Sequence, residues 1–403
     1  MNKEEFYSII GKDAVAHIIK EVPTPAYIYF RKIMHKRYTD LVSCLPPSFQ
    51  IYYAVKANPF AGILQELSSL GVGADVASLG ELKRARHHKI KADRIEFSGP
   101  AKSEDEIGEA IRHGISAINA DSLPELETIA RISRQMGIKA NVGIRINPHQ
   151  TADTAGIKMS GDTQFGIPMT MIKEALNFIR SHADTMVFSG LHVHAGSQIL
   201  SSTALIDNFR MILDTAVATF DLGIFPINKI NFGGGWGINY FSNQTSLDLK
   251  QLSDGLKELF CEGKYAKFAQ TRYIVEPGRF LVGECGLYAT RILYRKHGIK
   301  KNFLIVDGGM HHHYLLVGGM GQVVRRNFEM DVFTASEHID MTPTTYDIAG
   351  CLCTPQDILA TNFQSVRELH KGDRIIFFNS GAYGLTASPI NFLGHELPAE
   401  IIA

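Results

Sequence analysis

The sequence predicts an α/β protein, a (β/α)8 TIM barrel with a second, β-sandwich domain, on three observations. Between Ile51 and Glu276, eight short β-rich runs alternate with amphipathic helical segments. The eight units fill roughly 230 residues, near the ~250 of a typical barrel. After Arg279 the helical periodicity stops, and strand-like runs joined by turns take over.

In chain order, a helix-like opening segment leads to Pro23-Thr24-Pro25 and an apolar run, Ala26 to Phe30, that reads as a strand. Arg31 to Leu45 reads as a helix stopped by Pro46-Pro47. The barrel strands then begin at 51, 74, 94, 116, 140, 188, 229 and 273. Between the first two, Ile63, Leu64, Leu67 and Leu70 share one helical face. Capping boxes at Ser78/Glu81, Ser103/Glu106 and Ser122/Glu125 mark strand-to-helix boundaries. The expected domains are a barrel over 31–280 and a β-sandwich made of 1–30 and 281–403, whose strands include segments beginning at Cys285, Asn302, Thr344, Asp373 and Pro398.

Composition narrows the function. Of 403 residues 45% are hydrophobic and 20% charged, an ordinary globular balance. Lys+Arg and Asp+Glu are both 41, and no basic tract carries interleaved aromatics, which argues against nucleic acid. No apolar run reaches membrane-spanning length, and the N-terminal segment lacks the features of a signal peptide, so a cytoplasmic protein with no membrane partner is expected. Five cysteines form an odd, sparse set that reads as free thiols; Cys351 and Cys353 make a C-x-C without a second pair, so no metal site is expected there.

Barrel enzymes place their chemistry at the C-terminal ends of the strands. Lys56 follows the first strand. Partial burial there would lower its pKa and allow the neutral amine to form a Schiff base; a lysine extending to solvent is the alternative. Asp75 follows the second strand, Arg145 the fifth, and His192, His194 and Ser197 the sixth. Gly233-Gly234-Gly235 follows the seventh, at the usual phosphate position, where backbone N–H groups can approach an anion. Glu276-Pro277-Gly278-Arg279 follows the eighth. Its arginine suits a phosphate or carboxylate, and its glutamate a protonated pyridine nitrogen. Lysine, phosphate loop and pyridine-directed acid together describe a pyridoxal 5'-phosphate (PLP) site.

Six motifs carry a resemblance: Y-A-V-K-A-N around Lys56, H-A-G-S at 194–197, F-G-G-G at 232–235, E-P-G-R at 276–279, C-T-P-Q-D at 353–357 and G-A-Y-G at 381–384. In this order they resemble the fold-type III PLP decarboxylases, which include the ornithine, arginine and diaminopimelate decarboxylases. The resemblance implies that Lys56 carries PLP as a Schiff base, His194 stacks on the ring and Glu276 bonds its nitrogen. It implies that Ser197, Gly233, Gly234, Gly235, Arg279 and Tyr383 cradle the phosphate, that Asp75 and Arg145 support Lys56 and the ring hydroxyl side, and that Cys353 is the proton donor. It also implies a homodimer with shared active sites.

The departures from the family pattern concern the substrate. The diaminopimelate and ornithine enzymes place a carboxylate after the catalytic cysteine to meet a distal amine; here the residue is Thr354, which offers no counter-charge. After Asp307-Gly308-Gly309-Met310 comes His311-His312-His313 instead of an Asn-Asp-Leu stretch. His311 and His313 are expected to line the substrate pocket with Arg279, Thr354 and Tyr383 or to take structural roles, since no carboxylate at a convincing spacing favours a metal. K-M-x-G and Q-F-G within 158–166, the histidine triplet, L-C-T-P, N-S-G-A-Y-G-L and F-L-G-H resemble a specialised branch acting in butirosin biosynthesis on glutamyl groups tethered to an acyl carrier protein. Siderophore-pathway decarboxylases share part of the set. The resemblance implies an amino-acid-like substrate, free or carrier-linked. The alternatives are diaminopimelate decarboxylase, a PLP racemase (disfavoured by Glu276) and a non-catalytic regulator (disfavoured by retention of every cofactor residue).

Overall fold

The structure, a computed structural model, describes residues 1–148, 157–158, 161, 163–241, 244–319, 325–334 and 341–403. Met159 and Ser160 of the K-M-x-G motif lie outside the described residues. The chain divides into two compact units: 38–238 with 247–280, and 1–37 with 239–246 and 281–403.

The first unit is a closed parallel barrel. Its strands, Phe49–Ala54, Gly73–Val76, Ile95–Phe97, Ala117–Ala120, Ala140–Asn147, Met186–His192, Lys229–Asn231 and Arg272–Val275, coincide with the eight sequence runs. Each pairs in parallel with the next, and the eighth closes on the first through Tyr273↔Phe49. Helices between the strands bury one apolar face; Ile63, Leu64 and Leu67 of Ala61–Ser69 are examples.

The barrel helices begin where the serines predict, though with different cap chemistry. Ser78, Ser103 and Ser122 each accept the N–H three residues on. Of these three, only Ser103/Glu106 closes as a reciprocal capping box. Glu81 and Glu125 reach one residue further back, to the N–H groups of Ala77 and Asp121. A second reciprocal box, Asn2/Glu5, stands outside the sequence expectations.

The second unit is built on a mostly antiparallel sheet of eight strands. Its longest strand, Gly286–His297, pairs with Ala26–Tyr29 and Arg374–Phe377 over one half and with Asn302–Val306 over the other, with a bulge between Ile292 and Tyr294. Strands Met330–Phe333 and Ile358–Ser365 were not read from the sequence. The opening helix is two helices, Lys3–Ile10 and Lys12–Glu21, broken at Gly11 with φ 91°. Fully buried Tyr27, Tyr29, Tyr288 and Tyr346 supply much of this core. No helix among the described residues is long and apolar enough to cross a membrane.

Candidate active site

Barrel closure brings the strand ends into register. Ala54 pairs with Asp75, so Asp75 stands beside the chain leading to Lys56. Arg145 and Asn231 both pair with His192. Gly278 fits the eighth loop against the first strand: a Cβ there would lie 2.9 Å from that of Ala57 and 3.2 Å from that of Ala54, residues on either side of Lys56. Glycine is required by that close approach, and it places Glu276 and Arg279 near the lysine segment.

Lys56 lies on a short 3-10 turn, Val55–Ala57, and is exposed within the chain. Of the two readings, partial burial and extension to solvent, the chain shows the second: the strand ends before the lysine, which lies on the turn and is exposed. Its charge acts on Asp75, Glu81 and His194. Asp75 is buried, and among the described residues its Oδ1 has no hydrogen-bond partner. Burial, reinforced by the charge of Glu276, pushes its carboxyl well above the usual range, with Lys56 opposing.

His194 accepts a 3.0 Å hydrogen bond at Nδ1 from the Gly234 N–H. The ring proton of the neutral imidazole thus sits on Nε2. Burial, with Lys56 and Arg145 nearby, holds this histidine well below its ordinary pKa. Arg145 is buried, 3.4 Å from the carboxylate of Asp121, with its guanidinium over the Phe165 ring at 4.6 Å.

Glu276 is held at both oxygens. Asn231 donates to Oε1 at 2.6 Å, and His192 Nε2 lies 3.1 Å from Oε2. Asn231 also donates to Glu96 at 2.8 Å. Glu96 further accepts from Asn119 at 2.9 Å and is paired with Lys229, all four side chains being buried. Burial alone would raise the Glu96 pKa, but Lys229 and the two amides together lower it. Apart from His192, this chain of polar groups is not among the sequence expectations. The sequence carries only half of the signal: Glu96, Lys229 and Asn231 are polar residues inside otherwise apolar barrel strands, but nothing local pairs them.

The three glycines form a tight surface. Added Cβ atoms would meet Val193 O at 2.7 Å, Glu276 O at 2.6 Å and Gly196 O at 2.7 Å. The N–H groups of Gly233 and Gly234 are already donated to Asn231 and His194. Two of the three donors expected for an anion are therefore committed inside the barrel, and these glycines contribute close approach instead. Ser197 stands beside this loop, on the segment joined to it by the Ile199 N–H to Gly235 O bond of 2.8 Å. Arg279 is half-buried and begins the short helix Arg279–Val282. Lys56, Asp75, Arg145, His194, Ser197, the glycines, Glu276 and Arg279 all belong to the barrel unit.

Cys353, Thr354, Tyr383, His311 and His313 belong to the second unit. Cys353 is exposed, on a loop held by Asp357, whose carboxylate accepts the N–H groups of Met310 at 2.6 Å and Leu352 at 2.8 Å. Tyr383 is half-buried with φ 55°. The histidine triplet lies in a turn, not on a strand, and all three members are buried. His313 bonds Ser380 Oγ at 3.0 Å and packs on Tyr27, Tyr288 and Phe328. With no exposed surface it is a core side chain, which corrects its expected place in the substrate pocket.

Residues 31–283 match the family model of the pyridoxal-dependent decarboxylases, pyridoxal binding domain. The L-glutamyl-[BtrI acyl-carrier protein] decarboxylase of Niallia circulans is 36% identical over 96% of this chain and 90% of its own length. The diaminopimelate decarboxylase of Archaeoglobus fulgidus is 30% identical over 96% and 90%. The crystal structure of diaminopimelate decarboxylase from Helicobacter pylori complexed with L-lysine is similar with a TM-score of 0.84 and 29% identity, over 96% of this chain and 94% of that one.

Proposed function

The chain belongs to the pyridoxal-dependent decarboxylases, and from that premise we propose that it removes CO2 from an amino-acid group carried on an acyl carrier protein, using PLP held at Lys56. The barrel residues fit this cofactor. An amine stands at the first strand end, and a doubly held carboxylate suits the pyridine nitrogen. The glycine loop admits no side chain, and the buried Asp75 oxygen lacks a partner within the described chain. Bound PLP supplies an electron sink for the pair that departing CO2 leaves behind.

The protein's own groups then have separable tasks. Glu276, fixed by Asn231 and His192, holds a proton at the pyridine nitrogen. His194 offers an uncharged ring face, because its Nδ1 is occupied by the Gly234 N–H. Asp75, beside the chain leading to Lys56, supports the lysine and the ring hydroxyl side. Arg279 and Ser197 bind phosphate. The exposed Cys353 thiol delivers the proton that replaces CO2, and its exposure supports a homodimer in which this loop serves the partner's barrel.

The observation that carries the choice of substrate is Thr354. Its hydroxyl accepts the Gln356 N–H at 3.4 Å, and no carboxylate follows Cys353 to meet a distal ammonium. The nearby Asp357 carboxylate is committed to two backbone N–H groups. The 36% identity to the glutamyl-carrier enzyme supports the same choice. A cytoplasmic location goes with such a biosynthetic role. The second reading, diaminopimelate decarboxylase, rests on the 30% identity to those enzymes.

The deciding experiment measures CO2 release by the PLP-loaded protein from meso-diaminopimelate, ornithine, lysine, free glutamate and glutamyl-loaded carrier protein. Release from the loaded carrier alone is expected. Rapid release from diaminopimelate would establish the second reading. The Lys56→Ala protein should lose the visible absorption of lysine-bound PLP, and retention of that band would remove Lys56 from its role.

A further inference from the structure

Three side chains unused by the decarboxylation chemistry meet within the second unit. His311 follows strand Asn302–Val306, Cys351 follows Thr344–Ala349, and His395 follows the 3-10 turn Phe392–Gly394. Each offers one donor atom, and the three atoms lie within 4.8 Å of one another. The segments are distant in sequence, so no spacing rule could have joined them.

His311 supplies an independent observation. It is 0% exposed, yet neither ring nitrogen has a hydrogen-bond partner among the described residues. An imidazole carries a donor or an acceptor at each nitrogen, and leaving such an atom dry costs about 1–3 kcal/mol. Its neighbours each have at least one bonded nitrogen: His312 Nε2 lies 2.9 Å from Glu396 O, and His313 Nε2 bonds Ser380 Oγ although its Nδ1 has no partner among the described residues. Against His311 lie the His312 ring at 3.6 Å and the His395 ring at 5.0 Å, neither of which bonds it. A buried imidazole left open beside a thiol and a second imidazole points to a ligand that all three share.

We propose that His311, Cys351 and His395 bind one zinc ion, in place of the substrate-pocket role that the sequence suggested for His311. Two imidazoles and a thiolate form a borderline-soft set that suits zinc better than hard cations, which prefer oxygen. Bond lengths of about 2.0–2.3 Å put tetrahedral ligand atoms roughly 3.3–3.7 Å apart. The cluster must therefore draw in by about 1 Å. Exposed His395 and half-buried Cys351 have the freedom to do so, while buried His311 is fixed.

Two of the ligands are already positioned. The Asp357 carboxylate accepts the N–H groups of Met310 and Leu352, the residues beside His311 and Cys351. The Cys351 N–H donates to Gly308 O at 3.0 Å, joining the two turns directly. Such outer contacts orient metal ligands and tune affinity. Three protein ligands leave a fourth position for water or an anion. Zinc here ties His395 to the two turns and fixes the loop that presents Cys353. The site stands on these residues alone and survives a change in the assigned substrate.

The test uses untagged full-length protein, stripped with chelator under reducing conditions and returned to Zn²⁺. One equivalent of zinc per chain should remain after desalting, measured by plasma mass spectrometry. Co²⁺ in its place should give a thiolate-to-cobalt charge-transfer band and the visible bands of a four-coordinate ion. Cys351→Ala and His395→Ala should each lose stoichiometric zinc and the charge-transfer band. Cys261→Ala, which removes an exposed barrel thiol, should keep both. Metal-free melting curves separate ligand loss from misfolding. Substoichiometric zinc in the wild type overturns the proposal, as does zinc retained by both ligand variants. Loss in Cys353→Ala with retention in Cys351→Ala also overturns the assignment, since it moves the thiolate two residues along.

Discussion

The interior of the barrel and its mouth treat buried charge in opposite ways. Inside, Glu96 is surrounded by donors from Lys229, Asn119 and Asn231, and they keep it ionised against the cost of burial. At the mouth, Asp75 is just as buried but has an oxygen without a partner in the described chain, and its pKa moves up. His194 is likewise held toward its neutral form. Buried polar groups in native proteins are almost always satisfied, so an exception at a strand-end site is a candidate position for a bound group. The interior serves folding, and the mouth is completed by what it binds.

Breaking the interior should give the largest effect. Lys229→Met leaves Glu96 buried without its cation and should destabilise the protein by about 3–5 kcal/mol. Glu96→Leu combined with Lys229→Met should recover much of that loss, because Asn231 keeps Glu276 and Asn119 keeps Ser98 as partners. Chemical denaturation of the two single variants and the double variant forms the cycle. A double variant as unstable as the sum of its parts would show that the pair does not act as a unit.

Glu276 lies where the two regions join, so Glu276→Gln probes the boundary. The amide offers only one accepting oxygen, while Asn231 donates to one side of Glu276 and His192 stands at the other. The loss of a charge-assisted hydrogen bond, about 1.5–3 kcal/mol, corresponds to roughly a ten- to hundredfold fall in kcat/KM. Steady-state CO2 release by the PLP-loaded variant measures it, and an unshifted rate would remove Glu276 from the chemistry.

At the mouth a substitution should stabilise. The raised pKa of Asp75 in the fold, against about 3.9 when unfolded, means that the cofactor-free protein loses stability as pH rises above about 4. Asp75→Asn removes that dependence. The cofactor-free variant should match the wild type near pH 4 and melt a few degrees higher near pH 8, each 1 kcal/mol being worth about 2–4 °C in a chain of comparable unit size. It should also retain PLP less well. A variant less stable than wild type at pH 8 would mean that Lys56 already compensates Asp75 fully.

The same contrast explains what could be read from the sequence. Strand alternation located all eight barrel strands, because a periodic apolar pattern is local information. Lys56, Asp75, His194, Glu276 and Arg279 could be named as candidates because chemistry at strand ends has a known address in a barrel. Glu96, Lys229 and Asn231 could not, since a polar residue in an apolar strand acquires its meaning only when closure brings its partners across the interior. The exposure of Lys56 depended on a turn that begins before the lysine. His313 went to the core because its segment is a turn rather than an alternating strand. The strands at 330–333 and 358–365 were not isolated, although Pro355 marks a turn just before the second.

The smallest effect belongs to a contact outside both regions. Ser103 accepts the Glu106 N–H at 3.3 Å, and Glu106 returns to the Ser103 N–H at 2.9 Å while its other oxygen accepts the Leu79 N–H at 2.8 Å. Ser103→Ala should therefore cost about 1 kcal/mol, and Ser103→Gly only a few tenths, because glycine leaves the cap backbone open to water. Neither change should alter PLP absorption or CO2 release, because the residue lies at the start of an outer helix. Equal losses for alanine and glycine would mean that the exposed hydroxyl contributes little and that Glu106, which bridges two helix starts, carries the boundary. Glu106→Gln would then be the more damaging change, since one amide oxygen cannot accept from both Leu79 and Ser103 in the present geometry.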